Sequence, residues 1–158
     1  MGIVPNLYAV MAESPVLLES YLALTKAVSR SSLSTTERHL VWQTINVENR
    51  CHYCVPAHTM LARADKVDDA IIAAVREDRP VDDARLETLR VFTKEMVKTR
   101  GNPSPAQVEA FFSAGFTQQN LLDVVLVLSH KKISNFTNHL ASTEVDAPFA
   151  PFAWTPPA

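Results

Sequence analysis

Apolar residues recur at helical spacing in one segment after another of this chain, and most segments open on a capping side chain and close on a polar or Gly/Pro break. That rhythm predicts helices packed on helices. Ser14-Pro15 reads as an N-cap with proline at the first helical position, followed by Val16, Leu17, Leu18, Tyr21, Leu22, Leu24 and Val28. Ser34 and Glu37 fit a capping box, and Leu40, Val41, Thr44, Ile45 and Val47 carry that helix to about Asn49. Another helix runs through Met60, Leu61 and Ala64; it starts near Tyr53 or Cys54, or else Pro56 bends it. Val67-Asp68-Asp69 opens a short helix with Ile71, Ile72 and Val75, and Asp82 or Asp83 caps a longer one with Leu86, Leu89, Phe92 and Met96. Arg100-Gly101-Asn102-Pro103 is a stop, Ser104 caps Pro105 to Phe112, and Thr117 to Asn120 open the last long helix, Leu121 to about Leu140. The tail after Ala147 holds three large aromatics and four prolines and is expected to be extended rather than helical. With only 3 glycines and few strand-like segments, the expectation is an all-α protein of about seven helices, one domain over residues 1–158, with an extended C-terminal arm.

The composition excludes several function classes. Hydrophobic residues make up 47% of the 158, enough for a core, and the net charge is -2. There is no basic footprint for nucleic acid and no polybasic patch for a membrane surface. Leu121 to Leu128 is too short to span a bilayer and is interrupted by Asp123. The N-terminus lacks the basic and apolar regions of a signal peptide, so a cytoplasmic location is the default expectation.

The two cysteines, Cys51 and Cys54, sit at CxxC spacing, and His58 follows Cys54 by four residues. Such a pair in a reducing compartment is expected to be catalytic or metal-binding rather than a structural bridge. On a helix, Cys54 and His58 share a face, with Cβ atoms about 5–6 Å apart, so the imidazole can take the thiol proton or stabilise a thiolate. If the helix starts at Cys54, its dipole lowers the thiol pKa further. The rival readings are two buried small hydrophobes or a zinc site. Zinc needs four ligands, and CxxC with one histidine supplies three, so no metal is expected. Tyr53 is expected to pack beside the site, and Glu37 to act as a cap. His130, Asn135, Asn138 and His139 read as polar surface or a subunit contact, the sharper alternative being that Asn135 and His139 meet the redox site across an interface. The tail aromatics Phe149, Phe152 and Trp154 are expected to dock on the body or on a neighbouring subunit, since burying each is worth about 1.5–3 kcal/mol.

Leu33-Ser34-x-x-Glu37-Arg38, an apolar helix, and then Asn49-Arg50-Cys51-His52-Tyr53-Cys54-Val55-Pro56-Ala57-His58 together resemble the alkylhydroperoxidase D-like / carboxymuconolactone decarboxylase-like superfamily. Ser134-Asn135-Phe136-Thr137-Asn138-His139 with the proline-aromatic tail resembles its peroxidase-related branch. The resemblance implies an all-helical fold, trimers or hexamers, and a peroxidase that uses a dithiol in place of haem and needs no cofactor. In that scheme Cys54 attacks hydrogen peroxide or a small organic hydroperoxide, Cys51 resolves the sulfenic acid, His58 activates the thiol, and an external dithiol, a protein or a lipoyl group, recycles the disulfide. The family places a glutamate of the proton relay twelve residues before the first cysteine; here that position is His39. The relay therefore falls to His39 itself, to Glu48 or to Glu37. Two other activities fit the resemblance less closely: decarboxylation of a cyclic lactone, which needs acid–base groups and no dithiol, and a non-catalytic redox sensor or assembly module.

Overall fold

The computed structural model describes residues 4–157. Met1 to Ile3, where the reading of a leaderless N-terminus begins, lie outside the described residues. Eight α-helices follow one another: α1 (Asn6–Met11), α2 (Pro15–Val28), α3 (Thr35–Glu48), α4 (Cys54–Ala64), α5 (Asp69–Arg76), α6 (Ala84–Lys98), α7 (Pro105–Ser113) and α8 (Gln118–Ala141). Among the described residues there is no strand, and the all-α expectation holds. No single helix there is long and apolar enough to cross a membrane.

Helix starts follow their caps. Ser34 accepts from Glu37 N while the Glu37 carboxylate accepts from Ser34 N, and the same reciprocal box closes at Ser104 with Gln107 and at Thr117 with Asn120. Glu37 also pairs with Arg85 of α6. Asp68 and Asp83 cap α5 and α6 through their carboxylates.

Two details add to the expectation of about seven helices. Eight occur among the described residues, the extra one being α1, which the sequence pattern does not mark. At six residues it is too short for apolar periodicity to register, and its first N–H is bonded from far along the chain, Asn6 N to Asp146 Oδ1 at 3.1 Å. The tail is not wholly extended either: Ala150–Phe152 makes one 3-10 turn. Pro151 is tolerated there because the first turn of a helix does not use that N–H. Phe149 is buried, while Phe152 and Trp154 are half-buried, so the arm docks on the body. Trp154 Nε1 donates to Arg76 O (2.8 Å), and the Arg76 guanidinium donates to the carbonyls of Phe152 and Ala153.

α3 is the central element, packed against α4, α5, α6 and α8, with α2 and α1 laid along α8. The main core joins Leu40, Val41 and Ile45 of α3 to Leu89 and Phe92 of α6, Phe111 of α7 and Val124 and Val127 of α8. A second apolar cluster gathers Leu7, Met11, Tyr21, Tyr53, Ala57 and Phe149 around both cysteines. The thiols therefore lie where the two ends of the chain close over the start of α4.

Candidate functional site

The turn after α3 delivers Cys51. Arg50 takes a left-handed conformation (φ 51°), its N–H reaches Val47 O (2.9 Å), and Cys51 N–H reaches Asn46 O (3.0 Å). This double closure is a Schellman turn. Three residues later Cys54 opens α4, and its free N–H donates to Cys51 Sγ at 3.3 Å. Both cysteines are unbridged and buried.

Their environments are unequal. The Cys51 thiol hydrogen-bonds the Cys54 sulfur, and that bond, together with burial, pushes Cys51 well above the ordinary thiol range. Burial opposes ionisation of Cys54 as well, yet its pKa is lowered. The Cys51 hydrogen bond, the charge of Lys131 and donation from Asn135 and Asn138 outweigh the burial. Asn138 Nδ2 lies 3.2 Å from Cys54 Sγ and 4.0 Å from Cys51 Sγ. One sulfur is thus held as thiolate and the other as its proton-carrying neighbour.

His58 lies one turn along α4 from Cys54 and lines the same cavity, but makes no hydrogen bond to either sulfur. Its Nε2 lies 2.8 Å from Lys131 Nζ, so Nε2 accepts from the ammonium and the ring proton sits on Nδ1. Nδ1 is buried without a partner among the described residues. Burial first, then the charge of Lys131, hold His58 well below the ordinary histidine range, which leaves the ring neutral. Trp42 of α3 packs on His58 (ring centroids 5.1 Å) and donates through Nε1 to His130 Nδ1 (3.3 Å). His130 Nε2 then carries the proton toward Thr25 Oγ1 (3.0 Å), and Tyr21 stacks on the ring at 4.6 Å. Burial and the adjacent Lys131 lower His130 to about 3.

The three relay candidates, His39, Glu48 and Glu37, lie elsewhere. His39 is buried and pairs through Nε2 with Asp65 Oδ2 (2.8 Å); it packs on Trp42 but bonds neither thiol. Glu48, at the last position of α3, faces α6 and pairs with Lys94 Nζ at 3.1 Å. Its carboxylate lines a separate polar hollow of about 310 Å³ with Arg50, Asp78 and Lys98. The structure does not bring Glu48 to the thiols, because the final turn of α3 points its side chain away from α4. Glu37 is occupied by its cap and by Arg85.

The expectation that His130, Asn135 and Asn138 form polar surface is overturned: all three are buried, and only His139 is exposed. Asn135 and Asn138 meet the thiols within one chain rather than across an interface. Asn135 Oδ1 accepts from Asn49 (2.7 Å), while its Nδ2 donates to Asn46 Oδ1 (3.0 Å). Asn46 donates to Gln43 Oε1 (3.2 Å), and Gln43 donates to Val55 O and Thr59 Oγ1, each at 3.0 Å. This chain of neutral amides fixes the start of α4 against α3 and α8 while satisfying its own polar atoms. Lys131 belongs to no motif, and the signal that points to it is the phase of α8: Val124, Val127, Lys131, Ser134 or Asn135, and Asn138 recur at three- and four-residue steps, so the buried apolar face continues into them.

The cavity above Cys54 has a volume of about 100 Å³, with walls from Pro5, Leu7, Tyr8, Tyr21, Leu61 and Phe149 and a floor of Cys54, His58 and Lys131. Tyr53 OH donates to Asp146 Oδ2 (2.5 Å), which ties the wall to the C-terminal arm. No group of three or more His, Cys, Asp or Glu side chains able to hold a metal occurs among the described residues.

Fold and site together define an all-α protein with a buried, unbridged CxxC pair at the start of a helix. The carboxymuconolactone decarboxylase family model matches residues 15–91, just under half of the 158, and that match supports the resemblance of this stretch to the alkylhydroperoxidase D-like / carboxymuconolactone decarboxylase-like superfamily. Among solved structures, an uncharacterized peroxidase-related protein from Ralstonia eutropha JMP134, described as an alkylhydroperoxidase AhpD core, is similar with a TM-score of 0.84 and 22% identity over 94% of this chain and 80% of its own. An uncharacterized peroxidase-related protein from Silicibacter sp. TM1040 gives 0.82 and 23% over the same shares. A protein of unknown function from Agrobacterium tumefaciens, a putative antioxidant defence protein AhpD, gives 0.73 and 17% over 87% of this chain and 95% of its own. No curated protein matches the sequence. These likenesses establish the shared fold.

Proposed function

We propose that this chain is a thiol-dependent peroxidase that reduces hydrogen peroxide or small organic hydroperoxides and is recycled by an external dithiol. The observation that carries the reading is the inequality of the two sulfurs: Cys54 favoured as thiolate at the floor of an apolar cavity, Cys51 protonated and hydrogen-bonded to it. The family-model match over residues 15–91, and neighbours described as peroxidase-related, support the same class of chemistry.

The Cys54 thiolate attacks the terminal oxygen of ROOH. An S–O bond forms, the O–O bond breaks, and the electron pair leaves on RO⁻. Cys54 becomes a sulfenic acid. The Cys51 sulfur then attacks Cys54, the S–O bond breaks, and water leaves with the Cys51 proton and the hydroxyl. A dithiol of protein or lipoyl type returns two electrons and two protons to the disulfide. His58 acts in this scheme from beside the sulfur, through its bond to Lys131. Lactone decarboxylation, the rival within the superfamily, is less well supported, because no carboxylate lines the cavity among the described residues. Assembly into a homo-oligomer remains part of the proposal. It is supported by Leu122, Val125, Phe136 and Leu140, which are exposed along one stripe of α8.

The test is the mass of the thiol-blocked protein before and after one equivalent of peroxide, with the bridge mapped. The expected product is a Cys51–Cys54 disulfide, with turnover in excess dithiol. A Cys54→Ser protein that consumes peroxide at the parent rate ends the assignment.

A further inference from the structure

We propose, resting on the peroxidase reading above, that Lys131 is both the counter-charge of the Cys54 thiolate and the source of the proton that the departing oxygen takes up. Lys131 sits on α8, 1% exposed, at the floor of the cavity with Cys54 and His58. An ammonium has three N–H donors. One is given to His58 Nε2 at 2.8 Å, and no carboxylate pairs with Lys131 among the described residues. A buried cation without an anion is costly. The negative charge that shares its cavity is the Cys54 sulfur, whose ionisation the Lys131 charge favours.

The other titratable groups around that sulfur do not compete. Cys51 holds its proton, and burial raises both Tyr21 of α2 and Tyr53 above the ordinary phenol range. Tyr8 of α1 is raised in the same direction. His58 and His130 are neutral, and a neutral imidazole is not a proton source. Among the described residues lining the cavity, Lys131 is the one cation. His58 is then a positioning residue: its Nε2 lone pair holds the ammonium in the cavity that Cys54 lines.

The protons balance. Attack of Cys54–S⁻ on ROOH gives Cys54–SOH and RO⁻, and Lys131 gives one proton to RO⁻, leaving ROH and a neutral amine. Cys51–SH and Cys54–SOH form the disulfide and water. The reducing dithiol regenerates two thiols, and Cys54–SH returns its proton to the amine. The thiolate–ammonium pair is restored at the end of each cycle.

The experiment compares the whole protein with Lys131→Met and Lys131→Arg. It follows the pH dependence of Cys54 alkylation by iodoacetamide, mapped by mass, and single-turnover consumption of hydrogen peroxide. In Lys131→Met the alkylation midpoint is expected to rise by about two pH units or more, and peroxide consumption at pH 7 to fall about 100-fold. In Lys131→Arg the low midpoint is kept, because the charge remains, while peroxide consumption still falls, because a guanidinium does not release its proton near neutrality. A Lys131→Met protein with the parent midpoint and the parent rate overturns the proposal. A Lys131→Arg protein with the full peroxide rate overturns the proton role and keeps the counter-charge. If the parent itself consumes no peroxide while Lys131→Met still raises the midpoint, the peroxidase reading fails and the counter-charge stands. Should Lys131→Met not fold, by circular dichroism, the Lys131→Arg arm decides on its own.

Discussion

The two halves of α8 present the same buried face with opposite chemistry. In the first half Val124 and Val127 pack into the main core beside Phe111; in the second, at continuing helical steps, Lys131, Ser134, Asn135 and Asn138 are buried just as deeply. The first half stabilises by area removed from water, which is insensitive to pH and to neighbouring charges. The second half contains an ammonium and amides whose burial is tolerable only because each meets a partner: His58, the amide chain, and the Cys54 sulfur. One helix thus serves as core at one end and as electrostatic instrument at the other, and the polar end is where the molecule departs from optimal stability.

The largest effect that separates the halves comes from the apolar end. Phe111 contacts Phe92 (ring centroids 4.3 Å) and Phe116 (4.6 Å) and has no exposed surface. Phe111→Ala is expected to cost about 4 kcal/mol in urea denaturation, by lost transfer energy plus a cavity. The pH dependence of Cys54 alkylation in the surviving folded protein is expected to match the parent. A shifted alkylation midpoint would show that the halves are coupled and break the comparison.

The next effect belongs to the polar end alone. His58 and His130 are kept neutral in the folded state, whereas in the unfolded chain they protonate below about pH 6.5. Cys54 has the same sign, a thiolate when folded and a thiol when unfolded. The unfolded chain therefore binds more protons, and stability is lost as pH falls. Urea midpoints measured from pH 7 to pH 6 are expected to report a loss of about 3 kcal/mol. The loss should be the same in Phe111→Ala, displaced by a constant. A flat profile would mean that the polar half does not titrate as its surroundings dictate.

Asn138 sharpens the comparison at the level of one hydrogen bond. Its Nδ2 donates to Cys54 Sγ, and a bond to a charged acceptor is worth about 1.5–3 kcal/mol. Asn138→Ala is expected to raise the alkylation midpoint of Cys54 and to slow its reaction with peroxide at pH 7 by about tenfold or more. The urea midpoint above pH 7 should move much less than in Phe111→Ala. An unchanged midpoint would assign the low Cys54 pKa to Lys131 and Cys51 without the amide.

These contrasts also explain what the amino-acid sequence discloses. Helix starts are legible because Ser34, Asp83, Ser104 and Thr117 are good caps and do act as caps. Helix ends are legible to within about a residue, at Val28, Glu48, Ala64, Ser113 and Ala141, although the residue that turns left-handed after a helix is rarely glycine here. Arg50, Lys66, Asp78, Arg100 and Ser142 take that conformation after α3, α4, α5, α6 and α8. Cys51, Cys54 and His58 are legible by spacing alone, since the chain between them is one loop and one helical turn. Lys131 and Asn138 are not, because their part in the site depends on α8 packing against α4, a contact between segments more than 70 residues apart. Glu48 and His39 mislead for the converse reason: sequence distance to Cys51 is short, but α3 turns one toward α6 and the other toward Asp65.

The smallest expected effect tests whether the polar half of α8 is held by its end as well as by its partners. Ser142 closes that half at φ 47°, with its N–H toward His139 O (3.4 Å) and Thr143 N–H toward Asn138 O (3.2 Å). A left-handed non-glycine residue costs about 1–2 kcal/mol, and glycine removes that strain while losing about 0.5–1 kcal/mol more conformational freedom on folding. Ser142 is exposed, so little packing is lost with its hydroxymethyl group. Ser142→Gly is therefore expected to raise stability by about 0.5–1 kcal/mol, seen as a Tm increase of about 2–4 °C or less. Because the closure fixes the backbone of Asn138, whose side chain reaches Cys54, the alkylation midpoint should stay where it is in the parent. A gain in stability accompanied by a moved midpoint would mean that the helix end sets the reach of Asn138 and that the thiolate environment is adjusted from the terminus of α8; a loss of stability would mean that Ser142 holds its turn by contacts that outweigh the strain.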